Sequence, residues 1–305
     1  MALVIQAVGK TDVGLVRKGN EDNLYLDDRN HLYVVCDGMG GHQAGEVASM
    51  SAVTTLETVH NQLRREILGD ERLSPGRALP DETNLLLRAI RLANREIYGK
   101  AAANSSMAGM GTTIVAIAFE HDLAGIAHVG DSRAYRLEAR RLVPLTADHS
   151  WVSEMQAAHN LSAQEAESLV GRNVITRALG VREAVEVDCR LVRVKPGDIL
   201  LMCSDGLCGF ADDDEIFEAA HRLRDDLKKM VDALVQFAND RGGNDNVTVV
   251  AMRVMEAKAT DIPELPVFTL TAESREVLAA EDEWLPKIRE AAEALHAGGK
   301  RQKKK

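Results

Sequence analysis

Four aspartates stand beside apolar runs that predict β-strands, and each has a glycine close by in the chain. They are Asp37 after HLYVVC (31–36), Asp131 after AGIAHV (124–129), Asp205 after DILLMC (198–203) and Asp245 before VTVVAMRV (247–254). A single Asp-Gly pair is most often only a turn. Strands of one sheet bring their ends to common edges, so four such aspartates can meet at one rim of the core.

Carboxylates that meet in this way would predict a cation site. Several carboxylates within a few ångströms repel one another and take up protons unless cations neutralise them. No cysteine or histidine shares the spacing, so the ligands would all be oxygen atoms, which favours Mg²⁺ or Mn²⁺ over zinc or copper. Upstream, Arg17 precedes the Glu21-Asp22 pair, and its planar guanidinium could bind a phosphate beside these carboxylates.

The elements that carry these residues predict a layered α+β domain. Further β-type runs and four helical stretches follow from residue 3 to about residue 254, without an internal repeat. The further β-type runs are 112–119, 133–138 and 185–194, and the helical stretches are 43–68, 82–103, 213–222 and 225–240. Several strands succeed one another across short turns, which implies antiparallel pairing and not a doubly wound parallel sheet.

Three segments depart from this pattern. Residues 148–183 form a polar, weakly helical insertion, which could be a flap over a site or a plain surface excursion. Residues 255–271 contain two prolines and predict a linker. An amphipathic helix of about 272–297 follows and the chain ends in a basic run, so 272–305 is predicted to be a helical tail. Both docking onto a partner and a solvated helix without function remain open for this tail.

Composition excludes several classes of protein. The 305 residues carry a formal charge of −10, opposite in sign to the usual nucleic-acid binder. The four cysteines form no Cys-x-x-Cys pair, which argues against a disulfide framework or a zinc ribbon and for a reducing compartment. The N-terminus lacks the layout of a signal peptide, and no apolar run reaches the roughly 18 residues of a membrane span. A cytoplasmic location is therefore expected.

Spacing excludes three familiar phosphate chemistries. Gly9-Lys10-Thr11 ends like a nucleotide P-loop, but the position of the required earlier glycine is Val4. In GMGGHQAG (38–45), Gln43 occupies the third glycine position of a dinucleotide-binding motif. None of the cysteines has the arginine six residues later that a cysteine phosphatase needs.

A set of motifs, taken in order, carries a closer resemblance. They are RKGNED (17–22), CDGMGGHQAGE (36–46), GMGTT (109–113), HVGDSRAYRL (128–137), LTADHS (145–150), NVITRALG (173–180), PGDILLMCSDGL (196–207) and GGNDNVTVV (242–250). Together they resemble, over about residues 5–254, the bacterial form of the metal-dependent protein serine/threonine phosphatases of type 2C. Each motif alone is only moderately specific, whereas the ordered set is highly specific.

The resemblance implies a fold and a metal centre. The fold is a four-layer α-β-β-α sandwich of two antiparallel sheets flanked by helices, with residues 1–254 as the catalytic domain and 148–183 as its flap. The metal centre holds two Mn²⁺ or Mg²⁺ ions and, in bacterial members, a third. The implied ligands are Asp37 on both ions, the Gly38 carbonyl on one, Asp205 and Asp245 on the other, and Asp131 with Asp205 on the third. The phosphate would be bound by Arg17, and the residues around the ligands would be Glu21, Asp22 and Asn246.

The implied activity is hydrolysis of phosphoserine and phosphothreonine in proteins, which reverses a cognate serine/threonine kinase. A water molecule that bridges two cations loses a proton near neutral pH and attacks phosphorus directly, so no phosphoenzyme forms. His42 is a candidate general acid, although the acid histidine of the family directly follows Asp-Gly, where this chain has Met39. A loop histidine with a local hydrogen bond is the alternative. The protein is expected to be a monomer that binds no nucleic acid.

Two other functions stay open at this point. The same core could hydrolyse a small phosphoester if the flap favoured a compact substrate. A sandwich that only binds phosphoproteins, as an inactive regulator, is the other alternative. The presence of Asp37, Asp205 and Asp245 argues against it, because loss of a metal aspartate is the simplest mark of an inactive enzyme.

Overall fold

The computed structural model of the chain describes residues 3–41, 43–159, 174–271 and 274–302. His42, the candidate general acid, and residues 160–173 of the predicted flap lie outside these ranges. Within the described part, two antiparallel sheets pack face to face and helices cover their outer faces. The predicted α+β sandwich is confirmed.

The first sheet has five strands in the order β1-β11-β10-β7-β8, and each neighbouring pair is antiparallel. Its strands are β1 (Val4–Asp12), β7 (Arg133–Leu137), β8 (Leu142–Pro144), β10 (Ile199–Cys203) and β11 (Val247–Glu256). The central strand β10 is entirely apolar and buried, as its sequence predicts.

The second sheet has the order β12-β9-β6-β5-β3-β2, and a short strand β4 also pairs with β3. Its strands are β2 (Asp22–Asp27), β3 (Leu32–Met39), β4 (Gly111–Thr112), β5 (Ile114–Glu120), β6 (Leu123–Val129), β9 (Val187–Arg193) and β12 (Leu265–Leu270). Every pairing in this sheet is also antiparallel.

Residues 32–36 of β3 are apolar at every position, and the packing of the strand explains why. Successive side chains of a strand point to opposite faces. Tyr33 and Val35 join the core between the two sheets, whereas Leu32, Val34 and Cys36 join the core between the second sheet and its helices. Because both faces of the strand are covered, alternation of polar and apolar residues is absent from it.

Helices form the two outer layers. The described helices are α1 (Gln43–Gln62), α2 (Arg64–Gly69), α3 (Asp81–Ala103), α4 (Trp151–His159), α5 (Asp205–Cys208), α6 (Asp213–His221), α7 (Leu227–Asp240) and α8 (Arg275–Gln302). The helices α1 and α3 pack on the second sheet, and α6 and α7 pack on the first. The single helix predicted over 43–68 is interrupted at Leu63, where α1 ends and α2 begins. None of the described helices has the length and apolar character needed to cross a membrane.

The C-terminal region differs from the linker that its prolines predict. Residues 265–270 form β12, which pairs with β9 at the edge of the second sheet. Pro266 lies inside this strand, and an edge strand tolerates proline because one side of it needs no amide donor. The segment is therefore part of the sheet.

The last helix also joins the core of the protein. Ala280, Trp284 and Ile288 of α8 are buried against α1 and α3. Beside them, Arg91 of α3 forms an ion pair with Glu281, and both side chains are almost fully buried. The helix predicted over 272–297 therefore exists, and its inner face is a packed surface.

Candidate active site

The four predicted aspartates occupy the ends of strands from both sheets. Asp37 lies near the end of β3, and Asp131 lies in the turn between β6 and β7. Asp205 is the first residue of α5, directly after β10, and Asp245 precedes β11. Because β10 and β11 are antiparallel neighbours and Cys203 pairs with Val249, the end of one strand meets the start of the other.

Burial and mutual repulsion act on these carboxylates. Burial, followed by the charges of Asp22, Asp205 and Asp131, holds the pKa of Asp37 well above its ordinary value. Burial and then the nearby charge of Asp245 raise the pKa of Asp205 to about 6. Burial and then the charge of Asp205 raise the pKa of Asp131 to about 7. The structure therefore brings the predicted aspartates within electrostatic reach of one another.

The hydrogen bonding of one carboxylate oxygen in this cluster of aspartates indicates what the cluster could bind. The Oδ1 atom of Asp205 is buried and accepts no hydrogen bond from any described residue. A buried carboxylate oxygen without a donor is unfavourable unless a cation or a proton satisfies it. The donor set is all oxygen, which fits Mg²⁺ or Mn²⁺.

Arg17 lies beside the last of the aspartates. Its Nη2 atom donates a hydrogen bond to Oδ2 of Asp245 at 2.7 Å, and the Arg17 side chain is about half exposed. The charges of Glu21 and Asp37 also act on this guanidinium. The predicted phosphate-binding residue thus stands between the carboxylate group and solvent.

Asn246 joins the loop that carries Arg17 to the loop that carries Asp245. Its Oδ1 atom accepts from the Glu21 N–H at 2.8 Å, and its Nδ2 donates to the carbonyls of Val13 and Gly19 at 3.0 and 2.9 Å. Its own N–H donates to Asp245 Oδ1 at 2.9 Å. A buried amide that makes these contacts orients both loops without reaching the cleft.

Asp22 and Asp37 are direct partners across β2 and β3. The buried Oδ2 atom of Asp22 accepts from the Ser204 and Thr248 hydroxyls at 2.8 and 2.7 Å. Burial raises the pKa of Asp22 to about 6, although these two hydrogen bonds oppose the rise. Asp22 thus links the second sheet to the two strands that flank Asp205.

Close packing fixes the backbone at Gly38 and Asp37. A Cβ atom at Gly38 would overlap the carbonyl oxygens of Gly45 and Glu21, so only glycine fits between α1 and the Glu21 loop. The Asp37 carbonyl accepts from the Thr112 hydroxyl and the Thr113 N–H, both at 2.8 Å. The GMGTT motif therefore supports the site through its backbone contacts.

A cleft of about 790 Å³ opens beside Asp131 and Asp205. Residues of α4 and of the turn before α6 line its other walls. Arg133 lies in this lining and donates from Nε and Nη2 to both oxygens of Asp148, at 2.8 and 2.7 Å. The cleft is large enough to admit a peptide side chain together with its phosphate.

Comparisons with known proteins agree with this geometry. The family model described as "Protein phosphatase 2C" matches residues 18–250. This region contains more than half of the chain and all of the predicted site residues except Arg17, which immediately precedes it. The chain belongs to the protein phosphatase 2C family.

Individual relatives support the assignment to the 2C family. The serine/threonine phosphatase stp of Listeria monocytogenes is 37% identical over 244 residues, which are 79% of this chain and 92% of that protein. The protein phosphatase PhpP of Streptococcus pneumoniae is 32% identical over 82% of this chain and 97% of its own. A crystal structure of the PstP catalytic domain "in complex with 2 Manganese ions" superposes with a TM-score of 0.70 at 31% identity, over 84% of this chain and 100% of that one. The prediction of a type 2C protein serine/threonine phosphatase from the sequence is confirmed.

One cluster of titratable side chains in this 2C phosphatase lies outside the predicted site. Within the described residues, a single trio of potential ligands has all its donor atoms within 4.8 Å of one another, namely His128, His149 and Asp188. The trio shares no member with the predicted ligands. The two histidines belong to the motifs HVGDSRAYRL and LTADHS, so the sequence could have indicated them. Asp188 lies in the predicted strand 185–194, outside every motif, and nothing in the sequence indicates its role.

Proposed function

We propose that the protein removes phosphate from phosphoserine and phosphothreonine in proteins, with two Mn²⁺ or Mg²⁺ ions and in some states a third. The observation that carries this proposal is the group of buried, mutually repelling carboxylates at one rim of the sandwich. The manganese complex of the related PstP catalytic domain supports the choice of cation. A serine/threonine kinase would supply the phosphoprotein substrates.

The chain's own residues would divide the work as follows. Asp37, the Gly38 carbonyl, Asp205 and Asp245 would hold two cations, and Asp131 would join Asp205 at a third. The chemistry that such cations supply when bound is a water molecule activated for attack on phosphorus. To bind cations, the protonated buried carboxylates would have to lose their protons. Asp245 would also have to bind a cation while it accepts the hydrogen bond from Arg17.

Arg17 is suited to hold the phosphate. Its guanidinium is about half exposed and offers donors in a fixed plane, and Asp245 anchors one of them. A phosphate held there would lie beside the carboxylate group and could accept two hydrogen bonds at once. Glu21 and Asp22 would act behind this contact, through the loop that Asn246 holds in place.

The test is release of phosphate from a phosphothreonine peptide. We expect activity with added Mn²⁺, loss of activity on chelation, and no recovery of the Asp205→Asn variant at any Mn²⁺ concentration. An exposed aspartate, Asp225, offers a matched control, and the Asp225→Asn variant should behave like the unmodified protein. Activity that survives both chelation and the Asp205→Asn change would refute the metal mechanism.

The alternative of a small-phosphoester hydrolase is separated by a direct comparison. A phosphothreonine peptide and p-nitrophenyl phosphate are supplied at equal concentration, and kcat/KM is measured for both. The cleft of about 790 Å³ beside Asp131 has room for a phosphorylated side chain of a peptide, so we expect the peptide to be the better substrate. A clear preference for the small ester would favour the alternative.

A further inference from the structure

The turn that carries Asp131 is held by a histidine from the next loop. The His149 N–H donates to the Gly130 carbonyl at 3.0 Å, and the Gly130 N–H donates to His149 Nδ1 at 3.1 Å. Gly130 has a φ of +108°, and a Cβ atom there would overlap Thr113. Two hydrogen bonds thus fix Gly130, in a conformation that only glycine adopts freely, directly before Asp131.

The hydrogen bonds assign the tautomer of His149. Because Nδ1 accepts from Gly130, the ring proton of a neutral imidazole resides on Nε2. Nε2 lies 3.1 Å from Asp188 Oδ2, to which it donates. Although burial opposes it, the hydrogen bonds from His149 and Thr269 hold the pKa of Asp188 below its usual range.

The same contacts argue that the trio is a hydrogen-bond chain and not a cation site. Arg177 Nη1 lies 3.2 Å from Asp188 Oδ1 and 3.4 Å from His149 Nε2, so a positive charge already faces the carboxylate. His128 stacks on His149 with ring centroids 4.5 Å apart and donates from Nε2 to the Ala147 carbonyl at 2.8 Å. Binding an ion at His149 Nε2 would place a proton on Nδ1, facing the Gly130 N–H.

The far end of the chain of hydrogen bonds lies in the C-terminal segment. Thr269 Oγ1 of β12 donates to Asp188 Oδ1 at 2.6 Å, and the two residues are register partners in the sheet. Thr269 lies beyond residues 18–250, the region that the 2C family model matches. The contact therefore links a segment outside the matched region to the loop of a predicted metal ligand.

We propose that His149 is a positioning residue for the Gly130–Asp131 turn, and that Asp188, held by Thr269 of the C-terminal strand, keeps His149 in the tautomer that does so. This inference rests on the proposed metal centre. The carboxylate of Asp131 would reach a third cation only while this turn is held. Residues 265–270 thereby become part of the metal-binding apparatus.

Mn²⁺ binding measured by the loss of the free Mn²⁺ EPR signal tests this without an activity readout. In His149→Ala, we expect the weakest Mn²⁺ site to lose about tenfold in affinity, as is usual when an outer partner of a metal ligand is removed. His149→Asn places an oxygen near the position of Nδ1 and should restore much of that affinity. If His149 only stabilised the fold, His149→Ala would weaken Mn²⁺ binding equally at the tighter sites and at the weakest site. His149→Asn would then restore none of the lost affinity.

Thr269→Val provides the variant that is safest for folding, because Thr269 is exposed and valine has the same shape. Removing its hydroxyl should weaken the weakest Mn²⁺ site by about threefold, the scale of one hydrogen bond acting at a distance. Hydrogen exchange at the Gly130 amide should also become faster. Val267→Thr, exposed on the same strand, is the matched control and should change neither quantity.

The outcomes separate this inference from the proposed function. If Asp205→Asn abolishes Mn²⁺ binding while His149→Ala and Thr269→Val leave the weakest site and the Gly130 amide unchanged, the positioning role is wrong and the metal centre stands. If Asp205→Asn leaves Mn²⁺ binding intact, the metal centre itself is wrong. Weakening confined to one site in both His149→Ala and Thr269→Val supports the inference.

Discussion

Replacing Asp131 by asparagine should stabilise the protein in the absence of divalent cations. Burial and the charges of Asp205 and Asp148 raise the pKa of Asp131 from its ordinary value of 3.8 to about 7. Between these two values the folded protein binds more protons than the unfolded chain, so the free energy of unfolding falls as the pH rises through that window. Above about pH 7 the folded protein carries the full cost of the buried charge.

The size of the effect follows from the same shift. A pKa that is about three units higher in the folded protein corresponds to a loss of about 4 kcal/mol in the free energy of unfolding above pH 7, at about 1.36 kcal/mol per pKa unit. Partial exposure of Asp131 and screening by salt reduce this, and we expect Asp131→Asn to gain about 2 kcal/mol at pH 7.5. At pH 4, where the carboxyl of Asp131 is protonated in the folded protein, the gain should vanish.

Urea unfolding in EDTA, followed by tryptophan fluorescence from pH 4 to 8, measures this difference. The Asp225→Asn control should show no gain at either end of the range. Added Mn²⁺ should shrink or reverse the advantage of Asp131→Asn, because the variant has lost a ligand. A variant as stable as the unmodified protein in EDTA at pH 7.5, or less stable, would refute the electrostatic reasoning.

Three further predictions concern packing, backbone space and phosphate binding. Glu281→Gln leaves the buried Arg91 without its counter-charge and should lower the free energy of unfolding by about 3 kcal/mol in a urea titration; an unchanged midpoint would contradict the assigned ion pair. Gly38→Ala forces a Cβ against the Gly45 carbonyl, so it should lower the free energy of unfolding by about 2 kcal/mol and weaken Mn²⁺ binding. Calorimetry measures both quantities, and an unchanged Mn²⁺ affinity would contradict the placement of Gly38 at the metal centre. Arg17→Lys loses the planar fork and should raise KM for a phosphopeptide about tenfold with stability unchanged; an unaltered KM would exclude Arg17 from phosphate binding.

Much of the fold could be predicted because its signals are local. The runs at 198–203 and 247–254 are apolar at nearly every position, and both became strands buried on two faces. The helical stretches 82–103 and 213–222 match α3 and α6 within one residue at each end. Asp131, Asp205 and Asp245 lie just outside strands, as the glycines near them predict, whereas β3 continues through Asp37 and Gly38 to Met39 because Gly38 pairs there with β4.

The C-terminal region could not be predicted in the same way. Two prolines in 255–271 are a valid local signal for a linker, but β12 forms at an edge, where the missing amide donor of Pro266 costs little. The buried pair of Arg91 and Glu281 joins residues that are distant in the chain, and nothing near either residue distinguishes it from a solvated charge. Tertiary contacts therefore decided the role of this segment.

The hydrogen-bond chain at His149 shows where sequence motifs stop being informative about a site. A motif such as LTADHS specifies a local backbone and a residue type, but the use of each ring nitrogen depends on partners supplied by other strands. Asp188 faces His149 only because β9 pairs with β6 in the observed register, and a shift of one residue would turn Asp188 to the other face. Thr269 reaches Asp188 through a second register, that of β12 on β9. The aspartates of the proposed metal centre lie near strand ends and can be predicted from turns, whereas Asp188 and Thr269, which we propose act on them through His149, lie within strands and depend on the pairing of the whole sheet.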